Sequence, residues 1–116
     1  MKTLIIEDDV AIATMYKTQF ELLGHEVALA ENGQVGLTYV DKILPDLILL
    51  DIIMPVMDGF EVLARLNNHP NRSKFKIFVL SNLSQDNDIQ RGMILGADDY
   101  FTKLNFTPMQ LGDKLK

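Results

Sequence analysis

The chain has 116 residues, 47% of them hydrophobic, enough for one domain with its own core and too few for a second. Its formal net charge is −5 with no cluster of lysine or arginine, so direct binding to nucleic acid or to an anionic membrane has little electrostatic support. There is no cysteine, which excludes disulfides and thiolate metal sites, and Met1-Lys2-Thr3 passes straight into Leu4-Ile5-Ile6 without a signal-peptide core, so a cytoplasmic location is expected.

Leu4-Ile5-Ile6 predicts a short buried strand that runs into Glu7-Asp8-Asp9. From Asp9, the apolar residues Ile12, Tyr16, Phe20 and Leu23 recur at helical steps, and Gly24 is placed to end that helix. Val27 to Ala30 reads as a second strand. Asn32 can cap a second helix carrying Val35, Tyr39, Val40 and Ile43, in which Gly33 and Gly36 each cost up to about 1 kcal/mol relative to alanine.

Pro45 precedes the third strand, and here the sequence is most unusual. Asp51 is the lone acid of an apolar run, Leu47 to Met57, which Pro55 breaks. The run is too short for a membrane helix, which needs roughly 20 apolar residues, and suits a strand of a parallel sheet buried on both faces. A carboxylate there is costly unless something pairs it.

Asp58 and Glu61 have the spacing of a capping box and open a third helix with Phe60, Leu63 and Leu66, which ends near Asn68-His69-Pro70. Lys76 to Ser81 forms the fourth strand. Ser84 can cap a fourth helix whose apolar face, Ile89, Met93, Ile94 and Leu95, is thin, so that helix is expected to be loosely held. A fifth strand lies around Tyr100-Phe101-Thr102, and Thr107-Pro108 opens a short last helix.

Five strands alternating with five helices imply right-handed crossovers and a single flavodoxin-like α/β domain over residues 1–116. The expected sheet is doubly wound, parallel and five-stranded, in the order 2-1-3-4-5, which sets strands 1 and 3 side by side. Ligands of such sheets bind at the carboxyl ends of the strands, where Glu7, Asp8, Asp51, Ser81 and Lys103 all fall. Three acids meeting there repel one another, and Lys103 supplies one positive charge, so a divalent ion is called for. Oxygen ligands select Mg²⁺ or Mn²⁺ over zinc. A carboxylate beside such an ion, a lysine and a hydroxyl suits phosphoryl transfer, with Asp51 as nucleophile and an aspartyl phosphate as product. No glycine-rich phosphate loop or Walker lysine is present, which argues against ATP as the direct donor.

These residues resemble a response-regulator receiver domain of bacterial two-component signalling. The resemblance covers essentially the whole chain and rests on Ile-Ile-Glu-Asp-Asp after strand 1, Leu-Leu-Asp-Ile-Ile-Met-Pro-Val-Met-Asp-Gly at strand 3, Ser81 after strand 4, and Gly96-Ala97-Asp98-Asp99-Tyr100-Phe101-Thr102-Lys103. It implies that Asp51 is the phospho-acceptor, that Asp8 and Glu7 and the Ile53 backbone carbonyl hold the metal with Asp51, and that Ser81 and Lys103 contact the phosphoryl group. Tyr100 would be the switch aromatic that turns inward with Ser81. The implied partners are a histidine kinase or histidine phosphotransfer protein as donor and a downstream effector or effector domain. The output face, and a site for homodimerisation, would be the fourth helix, fifth strand and fifth helix. No turnover of an external substrate is implied.

Two positions depart from the family pattern: Leu104 replaces the usual proline after Lys103, predicting a trans peptide there, and Asn82 replaces a small residue after Ser81. Both keep open a reading as a docking or dimerisation module that needs no phosphorylation. Against a haloacid-dehalogenase-like phosphatase stands Ile53, where that chemistry needs a second acid. Against a flavodoxin-like flavin protein stands the acidic loop after strand 1.

Overall fold

The computed structural model describes residues 1–83 and 85–103. In chain order the elements are β1 (Lys2–Ile6), α1 (Val10–Leu22), β2 (Glu26–Ala30), α2 (Gly33–Ile43), β3 (Leu47–Leu50), α3 (Gly59–Asn67), a 3₁₀ turn at Arg72–Lys74, β4 (Lys76–Ser81), α4 (Asp86–Ile94) and β5 (Asp99–Thr102). The sheet is parallel throughout, as the alternation of elements implies, and its order is β2-β1-β3-β4-β5, as expected. The Ser84 cap, the Lys103-Leu104 peptide and the helix after Thr107-Pro108 lie outside the described residues.

Local chemistry starts α1, α2 and α3 where the sequence indicates. The Asp9 carboxylate accepts from the backbone N–H groups of Ala11 and Ile12, Asn32 Oδ1 from Val35 N–H, and Asp58 Oδ1 from Glu61 N–H. Glu61 turns to Arg65 one turn on, at 3.0 Å, rather than back to its cap. Gly24 sits at φ +93° just past α1, the left-handed position that glycine tolerates best.

The sheet is buried on both faces. Leu4, Ile6, Ile48, Leu50, Ile77 and Val79 join Val40, Val62, Leu63 and Leu66 of α2 and α3 in one core. Ile5, Leu47, Leu49, Phe78, Leu80 and Phe101 point the other way, against Tyr16 and Phe20 of α1. Gly36 belongs to this packing more than to its own helix. A Cβ there would lie 2.5 Å from Cδ1 of the fully buried Ile6, so the residue lets α2 approach β1 closely. Gly59 does the same at the start of α3, where a Cβ would meet the Asp51 carbonyl oxygen at 2.2 Å.

The register aligns the strand ends. Ile6 lies opposite both Ala30 and Leu50, Leu50 opposite Val79, and Ser81 opposite Thr102. The ladder runs one residue further, because Glu7 N–H donates to the Ala30 carbonyl at 3.0 Å, Asp51 N–H to Ile6 at 3.1 Å, and Lys103 N–H to Ser81 at 2.9 Å. The backbones of three polar residues are thereby pinned at one edge. Beyond Asp51 the chain turns sharply: Val56 has φ +71°, spanned by a Met57 N–H to Pro55 carbonyl bond of 2.8 Å. A β-branched side chain is strained there, and the bond from Gly59 N–H back to the Ile52 carbonyl, 2.7 Å, holds the turn closed.

Candidate functional site

β1 ends at Ile6 and β3 at Leu50, so Glu7 and Asp51 are the first residues past two adjacent strands, with Asp8 beside them. One carboxylate oxygen from each of Glu7, Asp8 and Asp51 lies within 4.8 Å of the others. Glu7 and Asp51 are buried, at 5% and 7% exposure, whereas Asp8 faces solvent. Lys103 arrives from the end of β5, and its Nζ lies 2.7 Å from Glu7 Oε1 and 3.4 Å from Asp51 Oδ2. Asp51 Oδ1 accepts from Ile52 N–H at 2.8 Å, which fixes the carboxylate plane.

One ammonium does not balance this cluster. Burial, and next the Asp51 side chain, push the Glu7 carboxyl up to about 8, although Lys103 pulls the other way. Burial opposes the charge of Lys103 as well, yet Glu7 and Asp51 more than offset it and hold the ammonium above its ordinary range. Glu7 Oε2 is buried without a hydrogen-bond partner among the described residues. A carboxylate oxygen left in that condition is expensive unless a proton or a cation takes it up. The donor set fits a hard divalent ion held by Glu7, Asp8 and Asp51.

The other expected residues fall at the same edge in different ways. Ser81 is fully buried, and its Oγ accepts from Leu83 N–H at 3.2 Å; its carbonyl holds the Lys103 backbone. Ile53 stands two residues past Asp51 with an exposed side chain, and Leu83 is half-buried. The Tyr100 ring is already inside, 8% exposed, and its hydroxyl donates to the Leu83 carbonyl at 2.7 Å. Burial raises the Tyr100 phenol, which keeps it a donor at neutral pH. Asn82 is exposed.

Tyr16 is predicted only as a core position of the first helix. Its ring in fact lines a hollow of about 10 Å³, room for about one water, together with Glu7, Asp51, Leu80 and Lys103. A tyrosine on an otherwise apolar buried stripe was the signal, because a phenol carries a polar end that an aliphatic side chain lacks. Among the described residues no helix is long and apolar enough to cross a membrane.

Residues 3–116 match the family model of the response regulator receiver domain. The chain is similar to the DNA-binding dual master transcriptional regulator RpaA of a Synechocystis species, 37% identical over 102 residues, which cover 88% of this chain and 42% of that protein. It is also similar to the alkaline phosphatase synthesis transcriptional regulatory protein PhoP of Bacillus subtilis, 34% identical over 115 residues, or 99% of this chain and 47% of that one. The chain thus spans less than half the length of these relatives. Among solved structures, the receiver domain of the Francisella response regulator 1452 superposes with a TM-score of 0.89 at 32% identity, covering 98% of this chain and 92% of that one. With its sheet order, its acidic edge and these likenesses in agreement, the chain belongs to the response regulator receiver domain family, whose members are phosphorylation-regulated switches.

Proposed function

We propose that this chain is a Mg²⁺-dependent switch in which Asp51 accepts a phosphoryl group. The support comes above all from the meeting of Glu7, Asp8 and Asp51 around a space where, among the described residues, Lys103 brings the one ammonium. In this reading an Asp51 oxygen attacks the phosphorus of a phosphohistidine on a histidine kinase or histidine phosphotransfer protein. A P–O bond forms, the P–N bond breaks, and the imidazole leaves with the electron pair and takes up a proton. Lys103 pairs with one phosphoryl oxygen, and Ser81 turns its hydroxyl from Leu83 toward another. Glu7, Asp8, Asp51 and the Ile53 backbone carbonyl hold Mg²⁺, or Mn²⁺, which when bound neutralises charge on the transferring group.

The response travels through Ser81 and Tyr100 to α4 and β5, the described part of the expected output face, and changes its affinity for an effector, an effector domain or a second copy of the chain. An effector domain is favoured by the greater length of the relatives and by their names as transcriptional regulators. The switch works in the cytoplasm and turns over no external substrate.

Backbone NMR in the presence of Mg²⁺ and then beryllofluoride, a stable mimic of the phosphoryl group, tests the proposal. Shifts centred on Glu7, Asp8, Asp51, Ile53, Ser81 and Lys103 are expected, with the beryllofluoride response lost in Asp51→Asn. An equal response in that variant, or none in wild type, would contradict it.

A further inference from the structure

α4 is an unusual helix for what it buries. Met93 and Ile94 are exposed at 43% and 79%, the helix begins at Gln85 without a side-chain cap, and its one buried residue is Gly92. Glycine inside a helix costs about 1 kcal/mol relative to alanine, so a packing reason is to be sought at this position. The reason is Tyr100. A Cβ on Gly92 would lie 2.8 Å from ring Cδ2 and 3.0 Å from Cε2 of Tyr100, closer than such atoms approach. The ring therefore rests on bare helix backbone, in a notch that any side chain at 92 would fill.

From the notch a chain of contacts leads to the site. The Tyr100 hydroxyl donates to the Leu83 carbonyl at 2.7 Å, and Leu83 N–H donates to Ser81 Oγ at 3.2 Å. We propose that Gly92 is a positioning residue: its missing side chain makes the notch that holds the Tyr100 ring inward, and so sets the Leu83 and Ser81 end of the site. The proposal deepens the phosphorylation reading and rests on it for the meaning of the Tyr100 position, but not for the notch itself.

The alternative response to a larger residue at 92 is retreat of the helix. Neighbouring contacts oppose that. Arg91 lies over the Phe60 ring of α3 at 4.1 Å, and Arg72 holds the Gly96 carbonyl just past the helix end at 2.6 Å. The Tyr100 backbone is fixed by pairing of β5 with β4, opposite Val79. The movable part is the ring, which has two side-chain torsions and can leave toward solvent. Gly92→Ala therefore turns Tyr100 outward and frees the Leu83 carbonyl. Since a ligand that requires one state binds more weakly by the fraction of molecules in that state, beryllofluoride with Mg²⁺ is expected to bind Gly92→Ala roughly 3- to 10-fold more weakly than wild type.

The test is NMR on the full chain with labelled tyrosine, whose three ring signals, from Tyr16, Tyr39 and Tyr100, are resolved with the help of Tyr100→Phe. In metal-free wild type, strong contacts between the Tyr100 ring protons and Gly92 Hα are expected. Gly92→Ala is expected to move the Tyr100 signal while Tyr16 and Tyr39 keep theirs, and Tyr100→Phe is expected to keep its ring against Gly92 Hα without the hydroxyl. A wild-type ring with no contact to Gly92, or a ring unmoved by Gly92→Ala, would overturn the proposal. An unchanged beryllofluoride affinity beside a displaced ring would overturn the link to the site. Should Gly92→Ala unfold, Tyr100→Phe decides, because expulsion of its ring would show that the hydroxyl, not the notch, holds the side chain. If beryllofluoride fails to bind wild type while the Gly92 contacts are present, the notch stands and the phosphorylation reading falls.

Discussion

Glu7 is a buried acid at the crowded edge of the sheet. Its carboxyl is raised to about 8 because it is buried beside Asp51. Between the ordinary carboxylate value, about 4.5, and about 8, the folded protein keeps a proton on Glu7 that the unfolded chain has released. Stability of the metal-free protein is therefore expected to fall as pH rises through that window. At the proposed metal site Mg²⁺ would take the place of that proton, so its stabilising effect is expected to grow over the same interval. Thermal denaturation from pH 5 to pH 8, with and without Mg²⁺, checks both slopes, and Glu7→Gln should flatten the metal-free one. Glu7, Asp8, Asp51 and Lys103 were legible as site candidates because acids and a lysine at the ends of apolar strands have few other reasons to be there. What the Tyr100 ring rests on was not, because Leu83 and Gly92 lie in other segments, and neither was the place of Tyr16 in a hollow shared with Glu7, Asp51 and Lys103.

Among the elements, α2 shows where propensity and packing part company. Helix propensity alone makes Gly36 a weakness, and alanine there should gain up to about 1 kcal/mol. Packing reverses the sign. The Cβ would meet three atoms of the Ile6 side chain at 2.5, 2.8 and 3.2 Å, and Ile6 is held in the middle of the sheet with no exposed surface. Overpacking of this kind costs about 1–3 kcal/mol, so Gly36→Ala is expected to be destabilised by roughly 1–2 kcal/mol in urea denaturation. A gain in stability would show that α2 can move away from β1. Helix starts were readable because Asp9, Asn32 and Asp58 act through bonds within three residues. The function of Gly36 and Gly92 was hidden, since a missing side chain gives no sign of what occupies its place. The thin apolar face of the fourth helix was readable, and Gly92 is the buried residue that goes with it.

For the molecule as a whole, the parallel register is what turns scattered residues into a site. Continuing the ladder through Glu7, Asp51 and Lys103 fixes three polar backbones at one edge, and the strained turn at Val56, closed by Gly59, returns the chain to α3 directly beside Asp51. The parallel sheet followed from the alternation of elements, and the order common to five-stranded doubly wound domains brought strands 1 and 3 together as expected. The same edge is continuous with Ser81, Leu83 and Tyr100, so the Asp51 carboxylate and α4 are joined through Lys103 and Ser81 by a path of direct contacts. The most direct measurement is the intact mass of the protein after incubation with acetyl phosphate and Mg²⁺. A gain of one phosphoryl group in wild type, absent without Mg²⁺ and absent in Asp51→Asn, is the expected result; an equal gain in Asp51→Asn would contradict the assignment of the reacting carboxylate.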